Sequence, residues 1–394
     1  MTNEQKNVPE LRFPEFEEEL KAVPLSRLGE FKKSYSFSRS YEGNGDYGYI
    51  HYGDIHSKFP SVLNNKNLIP NIKESKEFQE VQQNDLIFAD ASEDYKDLGK
   101  AVLINFNISK VISGLHTHLF RPNNLVIPKF LLFNTKTKNY LKFIHRQGNG
   151  ISVLGISKNN LSKYIVNLPF KSEQEKIGNF FSKLDRQIEL EEQKLELLKQ
   201  QKKGYMQKIF SQEIKFKDEN GNDYPEWIEK TIEEVTKYIS SKKSSNQYIE
   251  NNTLGSYPVY DAIQEIAKDS QYDMEEPYIS ILKDGAGVGR LNLRAGKSSV
   301  IGTMGYLLPK YIDIQFLYYR MKLLEFKKYI IGSTIPHLYY KDYSKEKLKI
   351  PSSSDEQKKI GTSLKKLDDY IEKQSSKVEF LKQRKQGLLQ KMFI

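Results

Sequence analysis

The residues that come closest to a catalytic motif are two glycine-containing stretches in the second half of the chain. Gly285-Ala286-Gly287-Val288-Gly289-Arg290 has the glycines of a dinucleotide-binding loop, but its spacing is GxGxG instead of GxGxxG, and strand-like residues follow where a helix should begin. Gly296-Lys297-Ser298 ends like a P-loop, yet Leu291 stands where the first glycine is required. We therefore predict a tight turn at residues 285–290 and no nucleotide site.

Two groups of metal-binding side chain types stand in the first half. His116-Thr117-His118 would place two imidazoles on one face of a strand, but no third ligand is adjacent, and zinc sites use three or four. Asp90, Glu93, Asp94 and Asp97 are an acidic cluster suited to Mg²⁺ or acid/base work, although a solvated loop is the simpler interpretation. GxSxG and HExxH are absent. We predict no catalytic residue and no metal site.

The charge of the chain favours a polyanionic partner. The formal net charge is +10 and the pI about 9.1. Between Leu98 and Ser172 there is no Asp or Glu, whereas lysines and arginines recur, with aromatic residues and histidines between them. A basic, acid-free stretch of this kind is expected of phosphate contacts. A solvated lysine-rich surface remains the alternative, and residues 285–312 show a weaker version of the pattern.

One long segment occurs twice. Residues 173–210 are repeated as residues 356–393 at a constant offset of 183 positions, with about half of the aligned residues identical. In each copy, apolar residues recur in steps of four and three, which is typical of a coiled-coil seam. The predicted seam residues are Ile177, Phe181, Leu184, Ile188, Leu195, Leu198, Ile360, Leu364, Leu367, Ile371, Val378 and Leu381.

The seam is interrupted at the same places in both copies. Glu191 and Gln374 stand at one equivalent position, and Lys202 and Lys385 at another. The 4-3 series also passes through Tyr205. A polar seam residue lowers stability but fixes register, so the shared interruptions predict that the two helices pair with each other.

A variable body precedes each long helix, and we predict both to be mixed α and β structure. The first is expected to contain strands at 49–52, 86–89 and 101–106 and a helix at 128–145, and the second to contain strands at 278–282 and 299–301 and a helix at 313–330. An apolar-proline step closes each body, at Pro169 and Pro351. The two bodies show no visible similarity in sequence.

Composition excludes several classes of protein. The chain has no cysteine, which excludes disulfides and thiolate metal sites, and it has no apolar run of signal-peptide or membrane-span length. We expect a cytoplasmic protein without membrane contact.

The repeated segments, taken together, resemble the specificity subunit of type I restriction-modification systems. The resemblance lies in EQEKIG at 173–178 and EQKKIG at 356–361, in Lys-Leu-Asp at 183–185 and 366–368, and in GYMQKIF at 204–210 with GLLQKMF at 387–393. The phrases Pro14-Glu15-Phe16 and Pro225-Glu226-Trp227 fit it too, and the match covers essentially the whole chain.

The resemblance implies an α+β chain with two mixed α/β target-recognition domains, separated by two long helices that form an antiparallel coiled coil, as a pseudo-two-fold internal repeat. The expected boundaries are 1–20 for an N-terminal lead-in segment, 21–170 for target-recognition domain 1, 171–212 for the central long helix, 213–351 for target-recognition domain 2, and 352–394 for the C-terminal long helix.

The resemblance also implies the function. Each domain would recognise one half of an asymmetric bipartite target in double-stranded DNA, and the helices would set the spacer and dock two methyltransferase subunits, with restriction/translocase subunits joining the full complex. The chain itself would bind no cofactor and would not be an enzyme, since S-adenosylmethionine, ATP and Mg²⁺ are expected on the partners. A bivalent coiled-coil scaffold is one alternative. A self-sufficient methyltransferase is disfavoured because the sequence contains no Pro-Pro, hence no Asn-Pro-Pro-aromatic motif.

The DNA-contacting residues are predicted from charge, side-chain type and position in the bodies. They are Arg39, His51, His116, His118, Lys138, Lys142 and Arg146 in the first body, and Lys283, Arg290, Arg294, Lys297, Ser333 and His337 in the second. Two loops at equivalent points before the long helices, 148–156 and 332–337, are favoured among them.

Overall fold

The protein forms two compact units that share both long helices. A computed structural model describes residues 8–74, 76–244, 246, 248 and 255–394. One unit holds the chain up to residue 192 together with residues 377–394, and the other holds residues 193–376. No helix among these described residues is long and apolar enough to cross a membrane.

The first unit contains the first body, residues 21–170, which is built on a five-stranded sheet. Its strands are β1 Lys21–Pro24, β2 Gly29–Lys32, β3 Glu42–Ile50, β4 Val62–Leu63, β5 Asn71–Ile72, β6 Leu86–Ala89, β7 Ala91–Ser92, β8 Ala101–Ile104, β9 Val111–Ser113, β10 Thr117–Pro122, β11 Leu154–Gly155 and β12 Ile165–Leu168. Its helices are α1 Tyr52–Ser57, α2 Pro128–Asn134, α3 Lys138–Gln147, α4 Lys158–Leu161 and the start of the first long helix, α5 Lys171–Phe210. The main sheet has the order β2-β10-β6-β8-β4, and a second sheet has the order β5-β3-β9.

The second unit contains the second body, residues 213–351, built on a four-stranded sheet. Its strands are β13 Ile228–Thr231, β14 Thr236–Ser240, β15 Tyr257–Tyr260, β16 Glu265–Asp269, β17 Tyr278–Leu282, β18 Leu291–Arg294, β19 Ser299–Val300, β20 Met304–Pro309, β21 Ile330–Ile331, β22 His337–Leu338 and β23 Lys347–Ile350. Its helices are α6 Ile232–Val235, α7 Ile314–Met321, α8 Tyr340–Tyr343 and the start of the second long helix, α9 Ser354–Met392.

The two bodies have the same strand connectivity, although their sequences do not reveal it. The order β2-β10-β6-β8 in the first body corresponds to β14-β20-β17-β18 in the second, and β5-β3-β9 corresponds to β16-β15-β19. In each small sheet the pair at the same place is parallel, β3 with β9 and β15 with β19. A two-stranded sheet closes each body, β1 with β12 and β13 with β23. The internal repeat therefore extends through the bodies.

The predicted central strands are confirmed, but the predicted helices and one strand need correction. Strands β6 and β17 are buried along their whole length, as their unbroken apolar runs predict. The predicted strand at 49–52 ends at Ile50, because His51 caps helix α1. The predicted helix at 128–145 is two helices, since Thr137 begins a new one by accepting a hydrogen bond from Tyr140 N. The predicted helix at 313–330 ends at Met321, and a 3₁₀ turn covers Phe326–Tyr329.

The repeated start of each long helix is the surface that attaches it to its body. We call Glu-Gln-x-Lys-Ile-Gly at 173–178 and 356–361 the attachment motif. In the first copy, Gln174 Oε1 accepts a hydrogen bond from Ile127 N at 2.8 Å, and Gln174 Nε2 donates to Pro169 O at 2.9 Å. In the second copy, Gln357 Oε1 accepts from Asp313 N at 2.8 Å, and Nε2 donates to Pro351 O at 2.8 Å. The repeated glutamine thus satisfies backbone groups of the body.

The glycine of the attachment motif permits close packing. A Cβ at Gly178 would lie 2.9 Å from Lys129 Cβ, and one at Gly361 would lie 2.8 Å from Phe316 N. The preceding isoleucines, Ile177 and Ile360, are buried in the core of their own unit. Each body therefore rests directly on the first turns of its own long helix.

The two long helices are antiparallel, as predicted. In the first unit Ile177 and Phe181, near the start of α5, share a core with Leu389 and Met392, near the end of α9. In the second unit the end of α5 lies in one core with the start of α9, through Met206, Ile209, Ile360 and Leu364. All twelve predicted seam residues are buried or partly buried. The exception in the 4-3 series is Tyr205, which is exposed, because the seam passes through its neighbour Met206 instead.

The lysines that interrupt the seam are paired with the aspartate of the Lys-Leu-Asp phrase. Lys202 forms an ion pair with Asp368 in the second unit, and Lys385 forms the equivalent pair with Asp185 in the first. Tyr319 Oη donates a 2.6 Å hydrogen bond to Asp368 Oδ2, which holds that carboxylate in place. A polar seam residue with a matched partner favours this register over shifted ones.

In the first unit a third charge joins this cluster. Lys136 Nζ lies 3.7 Å from Asp185 Oδ2 and donates to Ser61 Oγ at 2.6 Å. Burial, together with the nearby Lys385 ammonium, lowers the pKa of Lys136 to about 7. Two ammonium groups thus face one carboxylate at this point.

The helix glycines give a matched test of the attachment surface. Gly178→Ala and Gly361→Ala should each lower the free energy of unfolding by about 1–3 kcal/mol, since the added methyl group overlaps the body. Gly204→Ala and Gly387→Ala should each raise it by about 0.5–1 kcal/mol, because no atom lies within 4 Å of a Cβ at either position and alanine favours helix. Urea unfolding of the four variants checks this, and destabilisation of equal size in all four would contradict it.

Lys136 should make stability depend on pH. Its pKa is about 7 in the folded state against 10.5 ordinarily, so between these values the unfolded chain binds more protons, and stability rises with pH. From pH 7 to pH 10 the wild type should gain about 3 kcal/mol relative to Lys136→Met. Urea unfolding at several pH values measures the difference. Lys142→Met, at an exposed lysine, is the control, and parallel curves for wild type and Lys136→Met would refute the assignment.

Candidate nucleic-acid interface

In the first body, three loops meet where the central strand β6 ends. Asp90 N donates to His116 O at 3.0 Å, and Ile156 N donates to Asp90 O at 2.9 Å. Strand β11, just before Ile156, pairs with β7, just after Asp90. These bonds bring together loops 90–99, 114–116 and 148–156, which we call the first rim.

The second body builds the same junction at the end of β17. Lys283 N donates to Thr303 O at 2.9 Å, and Leu338 N donates to Lys283 O at 2.8 Å. A β-bridge joins Asp284 to His337. Loops 283–290, 301–303 and 331–337 therefore form a second rim, equivalent to the first. The two loops favoured from the sequence, 148–156 and 332–337, occupy corresponding places.

The glycine loop of the second rim is a tight turn. Gly285, Gly287 and Gly289 have φ values of +98°, +84° and +89°, in the left-handed region that favours glycine. Gly285 N donates to Pro336 O at 2.9 Å, which ties the turn to the loop before β22. Strand β18 follows at Leu291, so the strand-turn-helix arrangement of a nucleotide site is not formed here.

An ionic cluster lies beside this turn. Asp284 accepts hydrogen bonds from Lys283 Nζ and from His337 Nδ1, each at 2.7 Å. Burial alone would raise the pKa of Asp284, but the bonds from Lys283 and His337 hold it below its ordinary value. The ring of Tyr339 stacks near His337 at 6.2 Å. Arg290 and Ser333 are exposed on the same rim. Imidazole, guanidinium and hydroxyl groups of this kind can make hydrogen bonds to base edges.

In the first rim, the two predicted histidines have different environments. His116 is half-exposed, with φ +52°, and its Nδ1 lies 3.3 Å from Asp90 Oδ1. It precedes strand β10 instead of lying within it, as the sequence interpretation assumed. His118 is buried, its Nε2 lies 2.8 Å from Ile156 O, and burial lowers its pKa. His116 can therefore meet a ligand, while His118 links the strand to the loop before α4.

Arg39 and His51, also predicted to contact DNA, make contacts within the fold. Arg39 forms two hydrogen bonds with the buried carboxylate of Asp54, at 3.0 and 3.1 Å. His51 accepts a hydrogen bond from Gly53 N at 3.0 Å and so caps helix α1. Burial lowers the pKa of His51 to about 4, so its ring is neutral at physiological pH. Both side chains support the strand β3 and helix α1 that flank the rim.

The positive charge of the acid-free stretch is partly neutralised by acids from elsewhere in the sequence. Its cations Lys100, Lys110, Arg121 and Lys136 pair respectively with Asp97, Asp46, Asp85 and Asp185. By contrast, Lys138, Lys142 and Arg146 are exposed on helix α3, and the described part of the chain shows no ion pair for any of them. Their spacing of four residues places them on one side of that helix. We call these three residues the basic face.

Two predicted cations of the second body lie off its rim. Arg294 is half-buried with its guanidinium 4.1 Å from the centre of the Tyr260 ring, and it donates to Asp261 O at 2.9 Å. Burial lowers its pKa. Lys297 is exposed in a turn with φ +52°, 3.8 Å from Glu275.

Apolar residues of the rims were missed from the sequence. Ile151 and Val153 in the first rim are exposed at 101% and 61%, and Ile331 and Ile335 in the second at 52% and 57%. Exposed aliphatic side chains at equivalent places can contact thymine methyl groups or base steps. The available signal was their position just before the long helices. No cluster of three or more His, Asp or Glu residues suited to a metal ion occurs within the residues described.

Comparison with known proteins identifies the class of protein that this architecture defines. The sequence family described as type I restriction modification DNA specificity domain matches residues 17–200 and 224–379, one match for each half of the repeat. The chain therefore belongs to the family of type I restriction-modification DNA specificity subunits.

The individual relatives and solved structures that are similar to this chain also come from type I restriction-modification systems. The MjaX type I restriction enzyme specificity subunit of Methanocaldococcus jannaschii is 26% identical over 337 residues, 77% of each chain. The MjaVIII specificity subunit of the same organism is 28% identical over 201 residues, 47% of this chain and 46% of the relative. In fold, the chain is similar to the type I S subunit from M. genitalium, with a TM-score of 0.65 at 18% identity over 98% and 99% of the two chains. It is also similar to a chain solved for the complex assembly and conformational transition of the type I R-M system, with a TM-score of 0.55 at 16% identity over 96% and 98%.

Family membership confirms the predicted class of function. The chain is a DNA-recognition subunit of a type I restriction-modification system and is not an enzyme. Each match covers one body and most of the long helix that follows it, and the two long helices form the predicted coiled coil.

The internal role of Arg39 can be separated from DNA contact. Arg39→Ala should lower the free energy of unfolding by about 1–3 kcal/mol, because it leaves the buried Asp54 carboxylate without its partner. Arg290→Ala, which removes an exposed guanidinium, should change it by less than about 0.5 kcal/mol. Thermal or urea unfolding compares the two, and an unchanged stability of the Arg39 variant would contradict the supporting role of this side chain.

Proposed function

We propose that the first and second rims each recognise one half of a bipartite DNA target, and that the helix pair fixes the gap between the halves. The proposal is supported by one observation above all: the rims have the same construction but different side chains. At equivalent backbone positions the first rim has Asp90 and Gly155, and the second has Lys283 and His337. Because base contacts depend on side chains, unlike rims recognise unlike half-sites, and the target is asymmetric.

The basic face on α3 supplies phosphate contacts in this proposal. Its three cations are exposed and have no carboxylate partner in the described structure, so they are available to replace counterions on the DNA backbone. Contacts of this kind set affinity and orientation, while the rim side chains discriminate between bases.

The remaining partners follow the family. The chain acts in a cytoplasmic complex in which two methyltransferase subunits bind S-adenosylmethionine and methylate adenine on both sides of the gap. Restriction/translocase subunits, with ATP and Mg²⁺, add cleavage to the full complex. In this assembly the present chain contributes sequence recognition and spacing, and its partners contribute the chemistry.

A methylation map of the host genome tests the function as a whole. Deleting the gene for this chain should remove methyl-adenine from one bipartite, asymmetric sequence motif and leave all other motifs unchanged. Complementation with the double variant His337→Ala, Arg290→Ala should restore methylation. Its preference for particular bases should be relaxed in one half-site only, because only the second rim is altered. Relaxation in both halves, or at the gap, would contradict the assignment of one rim to one half-site.

Charge reversal tests the basic face. Lys138→Glu, Lys142→Glu, Arg146→Glu should weaken DNA binding about tenfold or more at 0.15 M salt and reduce the salt dependence of affinity, for all duplex sequences alike. Reversal of Lys58, Lys73 and Lys76, three exposed lysines of the same body outside the acid-free stretch, is the matched control. Gel retardation or fluorescence anisotropy with the assembled complex measures both. Equal losses in the two triple variants would show a general charge effect instead of a basic face.

A further inference from the structure

In the first unit, Arg12 of the lead-in segment binds a buried glutamate at the start of the long helix α5. Glu173, in the attachment motif, is 1% exposed. Arg12 forms a bidentate ion pair with it, Nε to Oε1 at 2.8 Å and Nη2 to Oε2 at 2.7 Å. The third guanidinium nitrogen, Nη1, donates to Glu18 O at 2.5 Å. Both carboxylate oxygens of this buried glutamate are thereby satisfied.

The second unit has the same construction without the arginine. Leu11 N donates to Lys391 O at 2.8 Å in the first unit, and Ile214 N donates to Lys208 O at 3.1 Å in the second. Lys208 and Lys391 are equivalent in the repeat, as are Glu173 and Glu356. Lys215, which follows Ile214, therefore stands where Arg12 stands in the first unit.

Lys215 does not form with Glu356 the ion pair that Arg12 forms with Glu173. Its side chain is exposed, and its ammonium acts on Glu356 only through space, because no ion pair joins the two in the described structure. Glu356 is 4% exposed, and its Oε1 accepts a hydrogen bond from Trp227 Nε1 at 3.1 Å. Its Oε2 is buried and has no hydrogen-bond partner. Burial raises the pKa of this carboxyl group. A buried carboxylate oxygen without a partner is a costly arrangement that a suitable donor would relieve.

A cavity adjoins this carboxylate. It has a volume of about 270 Å³ and is lined by Glu356, Trp227, Tyr224, Asp223, Lys215 and other residues of the same unit. The Trp227 ring is held by edge contacts with Phe210 and Phe316, at 6.3 and 5.9 Å between centroids. Aromatic faces beside carboxylates favour cations, and a planar guanidinium is favoured over an ammonium because it stacks and donates two parallel hydrogen bonds.

We infer that this cavity of the second unit binds a guanidinium group of another molecule. In the first unit, Arg12 of the chain itself supplies the guanidinium group that pairs with the equivalent glutamate, Glu173. The group would donate to the free oxygen of Glu356 and pack against Trp227 and Tyr224. An arginine side chain of another polypeptide and a small free guanidine carry the same chemistry. The inference is independent of which DNA the chain recognises.

The only tryptophan of the chain reports on the site, because Trp227 contacts Glu356 directly. Titration of the full-length protein with ethylguanidinium chloride should give a saturable change in tryptophan emission, and ethylammonium chloride at equal ionic strength should give a change at least fivefold weaker. A Gly-Arg-Gly amide that binds as well as ethylguanidinium would identify a polypeptide arginine as the source, and binding of ethylguanidinium alone would restrict the site to small guanidines. If neither ethylguanidinium nor the Gly-Arg-Gly amide gives a saturable change in tryptophan emission, the inference is overturned.

Three variants control the titration. Glu356→Gln keeps the shape of the side chain but removes the charge, and Lys215→Arg supplies a guanidinium from the chain itself, so both should abolish the response. Lys217→Arg, which adds a guanidinium at an exposed position two residues further on, should leave it unchanged. Lys215→Arg should also raise the thermal midpoint, and the gain should vanish in the double variant with Glu356→Gln. A Lys215→Arg protein that still binds ethylguanidinium as the wild type does would refute the site.

Discussion

The structure depends on the burial of the attachment motif of each long helix against its own body. Glutamine, isoleucine and glycine in this motif face the body in both units, and the glutamine side chain satisfies backbone groups that would otherwise be buried without partners. Because these contacts involve the first turns of the helix, the direction in which the helix leaves the body is fixed at its origin. Within each unit, the body and the start of its own long helix are therefore held together. The bodies can differ in every exposed residue without disturbing this anchor.

Electrostatics in the helix pair select one register. The Lys-Leu-Asp aspartates and the seam lysines are separated in sequence by a fixed interval, and each aspartate meets the lysine of the opposite helix in its own unit. A shift of one helix past the other would leave the partly buried ammonium groups of Lys202 and Lys385 without their carboxylate partners, which is unfavourable. The surroundings of the two pairs are not identical, since Tyr319 supports one and Lys136 crowds the other. The repeat therefore specifies the pairing, while its two copies differ in local stability.

Periodic features could be predicted from the sequence, and non-local contacts could not. The long helices, their seam and the central strands follow from spacing and repetition, which are visible in one dimension, and the family is recognised by the resemblance of the repeated phrases. Charge, side-chain type and position predict DNA contacts for Arg39, His51 and His118, whereas in the structure Asp54, Gly53 and Ile156 engage these side chains within the fold. The acid-free stretch suggested a larger basic surface than exists, because its aspartate partners come from residues 46, 85, 97 and 185. The common strand order of the two bodies was hidden, since connectivity is kept while the side chains are not.

The division of the long helices between the units has a consequence for the order in which the chain folds. Leu389, Met392 and Phe393 belong to the core of the first unit, so this core lacks part of its apolar surface until these three residues have been synthesised. The second unit consists of residues 193–376 and is complete before that point. Domains ordinarily finish folding in the order of their synthesis. In this protein the core of the first unit is completed by residues that follow the whole second unit in the sequence.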